Sequence, residues 1–320
     1  MGKKRSVYHY CSIETFFAII TNKCLRLSDL NKTNDYMEKK WTLKLIDSVL
    51  MESLKAYKIK VDIKEPYWYE DGINSHLEYF KKTMDEFLSE SKPVLITCFS
   101  KKKDLLSQWR AYGEDATGVS IGFDLDILEK LCTSKLPITI DDVSYDQEDQ
   151  KSIINYAIKC SIEYMMDGVI GNDNISEDIA KEYFNEEFET LCEVLPDYLE
   201  ESSCFIKNPA FKEEKEVRIV YRPDLSAAEH LDDSFKIECF SQSKRTKNFI
   251  IRPVKFSTNR RKIVAYADLD FSYYIKKGLI SEIVIGPKSN ISEADITYLL
   301  LANGYSINEL IINKSEATYR

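Results

Sequence analysis

The chain has 320 residues, 44% of them hydrophobic and 30% charged, with only 10 Gly and 8 Pro, a composition that excludes long linkers and extended disordered tracts. A formal net charge of -9 argues against bulk electrostatic binding to nucleic acid, which needs a net basic surface. No stretch approaches the ~18 apolar residues of a membrane-spanning helix, and the basic start runs into Val7-Tyr8-His9-Tyr10 rather than an apolar signal region, so no membrane partner is expected.

Residues 7–11 form a β-branched and aromatic run that predicts a first strand. Ser12 with Thr15 can cap a helix over residues 13–21, whose apolar face is Phe16, Phe17, Ile19 and Ile20. Residues 24–28 alternate Leu25 and Leu27 with polar partners and predict a second strand, which leads into a polar loop over 29–35. A long helix is expected over 37–56, an aperiodic segment rich in Tyr, Trp and Pro over 58–75, and a further helix over 75–88. Pro93 then introduces residues 94–100, apolar enough for a strand buried on both faces. Residues 105–112 read as a short amphipathic helix stopped by Gly113, and 118–124 and 143–146 as strands.

From 147 to 202 the sequence turns acidic and helix-forming, with Ile153, Ile154, Ile158 and Ile162 at helical spacing, which predicts a helical insertion. Strands are expected again over 216–221, 249–256, 263–267 and 280–285, then a helix over 292–302 and a last strand near 309–312. The pattern predicts one elaborated α+β domain over residues 1–320 with 147–202 as its insertion. Eight cysteines, including Cys98 in an apolar strand, contain no C-x-x-C pair, so no metal site is expected; free thiols without an export signal predict a cytoplasmic protein.

Three clusters can carry chemistry. His9, one of three histidines, faces opposite to Tyr8 and Tyr10 on the first strand; it is either a site residue or a hydrogen-bonded core or edge histidine. Ser100 ends an apolar strand, and Gln108, Trp109 and Tyr112 share one side of the helix that follows, where they either wall a cleft suited to a planar ring or pack the helix onto the sheet. Strand alternation would place Glu214, Glu216 and Arg218 on one face, either as paired carboxylates oriented by a cation or as a solvated strand edge. A fourth patch, Ser28, Asn31, Asn34, Asp35 and Glu38, reads first as loop and helix cap. The chain has no P-loop, no Rossmann glycine fingerprint, no H-E-x-x-H and no G-x-S-x-G.

Taken together, Tyr8-His9-Tyr10, Leu27-Ser28 with Asn34-Asp35 and Glu38, Cys98-Phe99-Ser100, Ser107-x-Trp109-x-x-Tyr112, Gly118-Val119-Ser120-Ile121-Gly122-Phe123, Phe211 with Glu214-x-Glu216-x-Arg218, and Ile285-Gly286-Pro287 resemble the bacterial family known as domain of unknown function twenty-nine seventy-one. More distantly, a His on the first strand, a Ser at a strand end, a Tyr on the next helix and a Glu on a late strand resemble the order of the ADP-ribosyltransferase fold. That resemblance implies a mixed, mainly antiparallel β core and NAD as substrate. By it His9 would hold the adenosine ribose, Ser100 would support the strand end, Tyr112 would stack on nicotinamide, Glu216 would hold the nicotinamide ribose, and Glu214 would be the upstream acid of an E-x-E pair. The insertion before Glu216, and Phe99 in place of a hydroxyl-bearing aromatic, depart from the fold's pattern.

Two functions follow as expectations. One is an NAD-consuming ADP-ribosyltransferase or NAD glycohydrolase, as a toxin or anti-phage effector acting on NAD and a macromolecular acceptor. The other is a non-catalytic nucleotide-binding or protein-interaction module using the same cleft. A nuclease would need clustered metal carboxylates, for which only Glu214, Glu216 and Asp35 offer themselves.

Overall fold

The computed structural model describes residues 5–32, 41–46, 49, 50, 52, 82, 93–132, 138–165, 195, 199, 200, 202–223, 243–246, 248–259 and 262–319. The chain divides into two compact units. One is made of Met1–Asn34, Lys92–Asp142 and Glu213–Arg320, the other of Asp35–Ser91 and Val143–Lys212.

The first unit carries twelve described strands: β1 Ser6–Cys11, β2 Cys24–Asp29, β3 Leu95–Ser100, β4 Val119–Asp124, β5 Ile138–Asp142, β6 Glu216–Tyr221, β7 Lys244–Thr246, β8 Phe249–Ile251, β9 Lys255–Asn259, β10 Lys262–Asp270, β11 Ile280–Ile285 and β12 Ile311–Lys314. They form one sheet in the order β12-β11-β4-β1-β3-β2-β10-β8-β7, with β6 and then β5 branching from β3, and β9 pairing with β10. The β11–β12 pair is parallel, whereas pairs such as β1–β4, β2–β10 and β3–β6 are antiparallel, so the fold is α+β with a mixed, mostly antiparallel sheet.

Strand alternation sorts the side chains between the two faces. Val7, Phe99, Ile121, Phe123, Val217 and Ile219 lie in one buried cluster, and the fully covered aliphatic ones each contribute about 1.5 to 3 kcal/mol relative to exposure. The helix Ile13–Asn22 adds Phe16, Ile19 and Ile20 to that cluster, and its N-cap Ser12 accepts from the Thr15 amide at 3.2 Å. Phe17, expected on the same apolar face, stands one residue and about 100° further round the helix and is 55% exposed. The helix Glu293–Ala302 adds Ile296 and Leu300 and starts with a capping box between Ser292 and Asp295.

Two strand expectations are corrected. The strand expected over 143–146 lies at Ile138–Asp142 instead, because pairing with β6 from Ile138↔Tyr221 to Asp142↔Val217 outweighs the poor strand propensity of its two aspartates; Ser144 makes only an isolated bridge to Ile206. The run over 249–256 is broken into β8 and β9 around Pro253, which has no amide to donate.

One feature of the sheet positions the site. β3 pairs with β6 along its whole length, from Leu95↔Tyr221 to Ser100↔Glu216. Its other edge is divided: Leu95 and Ile96 pair with β2, and Ser100 pairs with Tyr8 of β1. Between those contacts neither β1 nor β2 runs in register with residues 97–99 of β3, so the sheet is split there.

In the second unit the helix Gln147–Met165 opens the segment expected to be helical, and Ile154 and Ile158 are buried as their spacing suggested. Buried Gln150 donates to the Ser144 and Lys207 carbonyls, both at 2.7 Å, and accepts from the Trp41 indole at 3.0 Å. Of the helix expected over 37–56, residues 41–46, 49, 50 and 52 are helical. The expectations for 58–75 and, apart from helical Lys82, for 75–88 lie outside the described residues, as do Asn34, Asp35 and Glu38. Among the described residues no helix is long and apolar enough to cross a membrane.

Candidate functional site

Where β1 and β3 part, a cavity of about 90 Å³ opens, lined by Tyr8, His9, Tyr10, Cys98, Phe99, Gln108, Tyr112, Glu214 and Glu216. Five of the residues in the three clusters singled out from sequence, His9, Gln108, Tyr112, Glu214 and Glu216, therefore line one cavity. The other three stand behind it: Ser100 and Arg218 bond to lining residues, and Trp109 braces the helix that supplies two of them.

His9 fills the gap in the sheet. Its Nδ1 lies 3.0 Å from the Cys98 carbonyl oxygen of β3. Its ring meets Phe99 edge-on with centroids 5.9 Å apart. Burial pushes the imidazole below its ordinary pKa against the opposing pull of the Cys98 carbonyl, so His9 is neutral at pH 7. A carbonyl only accepts, which puts the proton on Nδ1 and leaves Nε2 as an acceptor.

Glu216 and Arg218 share a face of β6, as strand alternation requires, opposite the core residues Val217 and Ile219. The guanidinium donates from Nε to Oε1 and from Nη2 to Oε2, both at 3.0 Å. Arg218 is 1% and Glu216 7% exposed, because β6 is covered on both edges by β3 and β5 rather than lying at a solvated edge. Glu214 is not on the strand. It ends a 3-10 turn, and Lys215 between it and β6 has a left-handed φ of 45°. Ser100 fixes that turn: its Oγ donates to the Glu214 carbonyl at 2.6 Å and accepts from the Lys102 amide at 3.1 Å, while the Lys101 amide donates to the Lys215 carbonyl at 2.9 Å.

The helix Leu106–Ala111 brings Gln108, and Tyr112 just beyond its last residue, to the opposite wall. Tyr112 is half-exposed. Trp109 does not share their side. One residue on from Gln108 its side chain turns inward, fully buried, meets Tyr10 edge-on at 4.8 Å and donates its indole N–H to Asp104 at 2.6 Å. On the far side of β1, Tyr8 donates to Glu282 at 2.8 Å, and Lys103 and Asn313 donate to the same carboxylate at 2.9 and 3.1 Å. Burial opposes the charge on Glu282, but these donors outweigh it and hold its carboxyl below the ordinary range.

Sequence reasoning found the His, Tyr and Glu of the cavity and missed the supports: Asp104, Lys103 and Glu282. An isolated carboxylate in a loop or strand carries no local pattern, so nothing in the sequence marked them. Cys98, in the apolar strand β3, also lines the cavity. Cys11, Cys24, Cys98, Cys132, Cys160 and Cys204 are free thiols, and among the described residues no group of three or more His, Cys, Asp or Glu side chains could hold a metal ion.

Chemically, the cavity offers two carboxylates, a neutral imidazole acceptor, tyrosine rings and an amide, with no Lys or Arg among its lining residues. Its walls suit a planar, neutral or cationic ring and sugar hydroxyls rather than a phosphate. Its volume is well below the roughly 300 to 1,000 Å³ of a pocket that encloses a drug-sized ligand, so it has room for a single ring-sized group. No curated protein and no solved structure matches the chain. Residues 108–219, about a third of the chain and including Gln108, Tyr112, Glu214, Glu216 and Arg218, match the model of the family described as "Protein of unknown function (DUF2971)".

Proposed function

We propose that this protein cleaves NAD at the bond between nicotinamide and ribose, as an ADP-ribosyltransferase or an NAD glycohydrolase. The observation that carries the reading is the convergence of His9, Tyr112, Glu214 and Glu216 on one ring-sized cavity. The strands bearing His9, Ser100 and Glu216 are also direct neighbours, β1 beside β3 beside β6, which accords with the distant resemblance to the ADP-ribosyltransferase fold.

In this reading the nicotinamide ring stacks on Tyr112 and the phosphates stay outside the cavity. Glu216 accepts from a hydroxyl of the nicotinamide ribose, and His9 Nε2 accepts from a hydroxyl of that same ribose rather than of the adenosine ribose that the fold resemblance implies, because a cavity of this size leaves the adenosine half outside with the phosphates. The C1′–N1 bond breaks with its electron pair passing to the pyridinium nitrogen, which leaves neutral nicotinamide and a positive, oxocarbenium-like C1′. The carboxylates of Glu216 and Glu214 stabilise that charge as it develops. Water, losing a proton, or a macromolecular nucleophile then completes the transfer.

The test is nicotinamide release from NAD by the purified protein, with and without cell extract as acceptor source, beside Glu216→Gln checked for native circular dichroism. Release by the parent and its loss in the variant is the expected result. Release that is equal in both would remove Glu216 from the chemistry.

One observation favours a second reading, a nucleotide-binding module without turnover: both Glu216 oxygens are already engaged by a buried guanidinium, which offsets part of the negative charge an oxocarbenium ion needs. Saturable NAD binding without nicotinamide release in either condition would select it.

A further inference from the structure

The helix Leu106–Ala111 is only six residues long, too short to persist alone, yet it sets the Gln108 and Tyr112 wall of the cavity. A carboxylate flanks it on each side, and both are held by the same segment, residues 315–319. Before the helix, Asp104 Oδ1 accepts from the Trp109 indole and from Ser315 Oγ, both at 2.6 Å, and Oδ2 accepts from the Glu316 amide at 2.8 Å. After it, Asp115 accepts from Tyr319 Oη at 2.6 Å and from Lys288 Nζ at 2.9 Å, and the Lys288 ammonium also lies 4.3 Å from the Tyr319 ring centroid.

Glu114, Asp115 and Ala116 all have left-handed φ values, of 50°, 50° and 73°. Such a run persists only where its surroundings over-determine it. Here the Ala116 amide donates to the Trp109 carbonyl at 3.1 Å and the Ala116 carbonyl accepts from the Lys288 amide at 3.0 Å. Ala317 and Tyr319 pack on Tyr10, Trp109, Ala116 and Val284, so the segment joins by apolar contact what it also joins by hydrogen bonds. Burial opposes the charge on Asp104, but its donors outweigh it and hold the carboxyl below the ordinary range, so it is an anion across the physiological range.

We infer that Asp104 is a positioning residue for the cavity and that residues 315–319 form a strap that keeps the cavity wall in place, a control on the site that rests on reading this cavity as the working one. The strap donates hydrogen bonds to Asp104 and Asp115. It acts on Gln108 and Tyr112 through Asp104 and Trp109 on one side and through Asp115 on the other.

Two variants test this. In Asp104→Asn one oxygen becomes an amide NH2, which only donates, and because the Trp109 indole and the Glu316 amide donate to different oxygens and neither can accept there, one contact must fail. The second variant ends the chain at Lys314 and leaves Asp104 intact. Backbone amide exchange is measured in both over residues 106–116 and over β1, β3 and β6.

The expected result is exchange faster by about tenfold or more in 106–116, in line with the loss of a hydrogen bond to a charged group, with the three strands as protected as in the parent. Unchanged protection of 106–116 in either variant overturns the proposal, as does equal loosening of all three strands, which would make Asp104 a support of the fold and not of the wall. Exchange needs no NAD, so it decides the strap even if the parent releases no nicotinamide, an outcome that counts only against the proposed reaction. Where the parent does release it, KM rises roughly tenfold with kcat changed less than about threefold; a fall in kcat at constant KM overturns the positioning role.

Discussion

Arg218 grips Glu216 with two parallel hydrogen bonds of 3.0 Å, and the pair is buried on a strand covered along both edges. Taking one partner away leaves a buried charge with its desolvation cost uncompensated. Arg218→Met is expected to destabilise the protein by about 3 to 5 kcal/mol, and adding Glu216→Leu to recover most of the loss. Urea unfolding of the parent, the single and the double variant measures both; a double variant no more stable than the single one would mean that the pair is not the source of the cost.

Tyr112 presents a half-exposed ring at the cavity, held there by its amide's 2.9 Å bond to the Gln108 carbonyl. If it stacks on the ligand's ring, Tyr112→Ala loses about 1 to 3 kcal/mol of binding, roughly 5- to 150-fold in affinity. Tyr112→Phe retains nearly all of it. Calorimetric titration with NAD reads the difference, and equal weakening by both would point to the hydroxyl rather than the ring.

His9 gives the protein a pH dependence of definite sign. Its folded pKa lies below the ordinary 6.5, because burial penalises the imidazolium more than the Cys98 carbonyl favours it. The unfolded chain therefore binds the proton more readily, and stability is full above about pH 6.5 and falls as pH drops toward the lowered folded value. Urea midpoints between pH 5 and 7.5 should slope downward on the acid side, and His9→Asn, which keeps a donor toward Cys98, should flatten that part of the curve. A parallel pair of curves would assign the slope to another group.

Gly118 immediately precedes β4; its amide donates to the Gly113 carbonyl at 2.9 Å and its own carbonyl accepts from the Gly286 amide at 2.9 Å. A Cβ built there would overlap the Cys11 carbonyl oxygen, part of the backbone of β1, which cannot turn aside as a side chain can. Gly118→Ala is expected to cost at least about 3 kcal/mol and to lower the melting temperature accordingly. A melting curve superimposable on the parent's would mean that β1 can shift without loss.

Local patterning made much of the sheet legible. Strands β1, β3, β4, β6 and β11 lie within a residue or two of their expected bounds, since apolar and β-branched runs between turn residues reflect a constraint that acts along the chain. Pairing decided the rest: β5 is a strand because β6 lies beside it, and Glu214, placed by sequence on the β6 face, reaches the cavity through a turn held by Ser100. Trp109 shows the same limit, for helical spacing named its neighbours at the cavity but could not tell that an Asp104 five residues earlier turns the indole inward.

By itself the sequence determined the strand-forming runs, the cap at Ser12, and the His, Tyr and Glu side chains that carry charge or a ring in otherwise apolar surroundings, because these are fixed by neighbours within a few residues. The tertiary structure alone decided that β1 and β3 part at His9, that Arg218 closes on Glu216 within a fully covered strand, and that residues 315–319 hold the helix walling the cavity. Those contacts join residues up to about two hundred positions apart, and which polar group finds which partner across such a distance is set by how strands pair and bury one another, not by any pattern local to the chain.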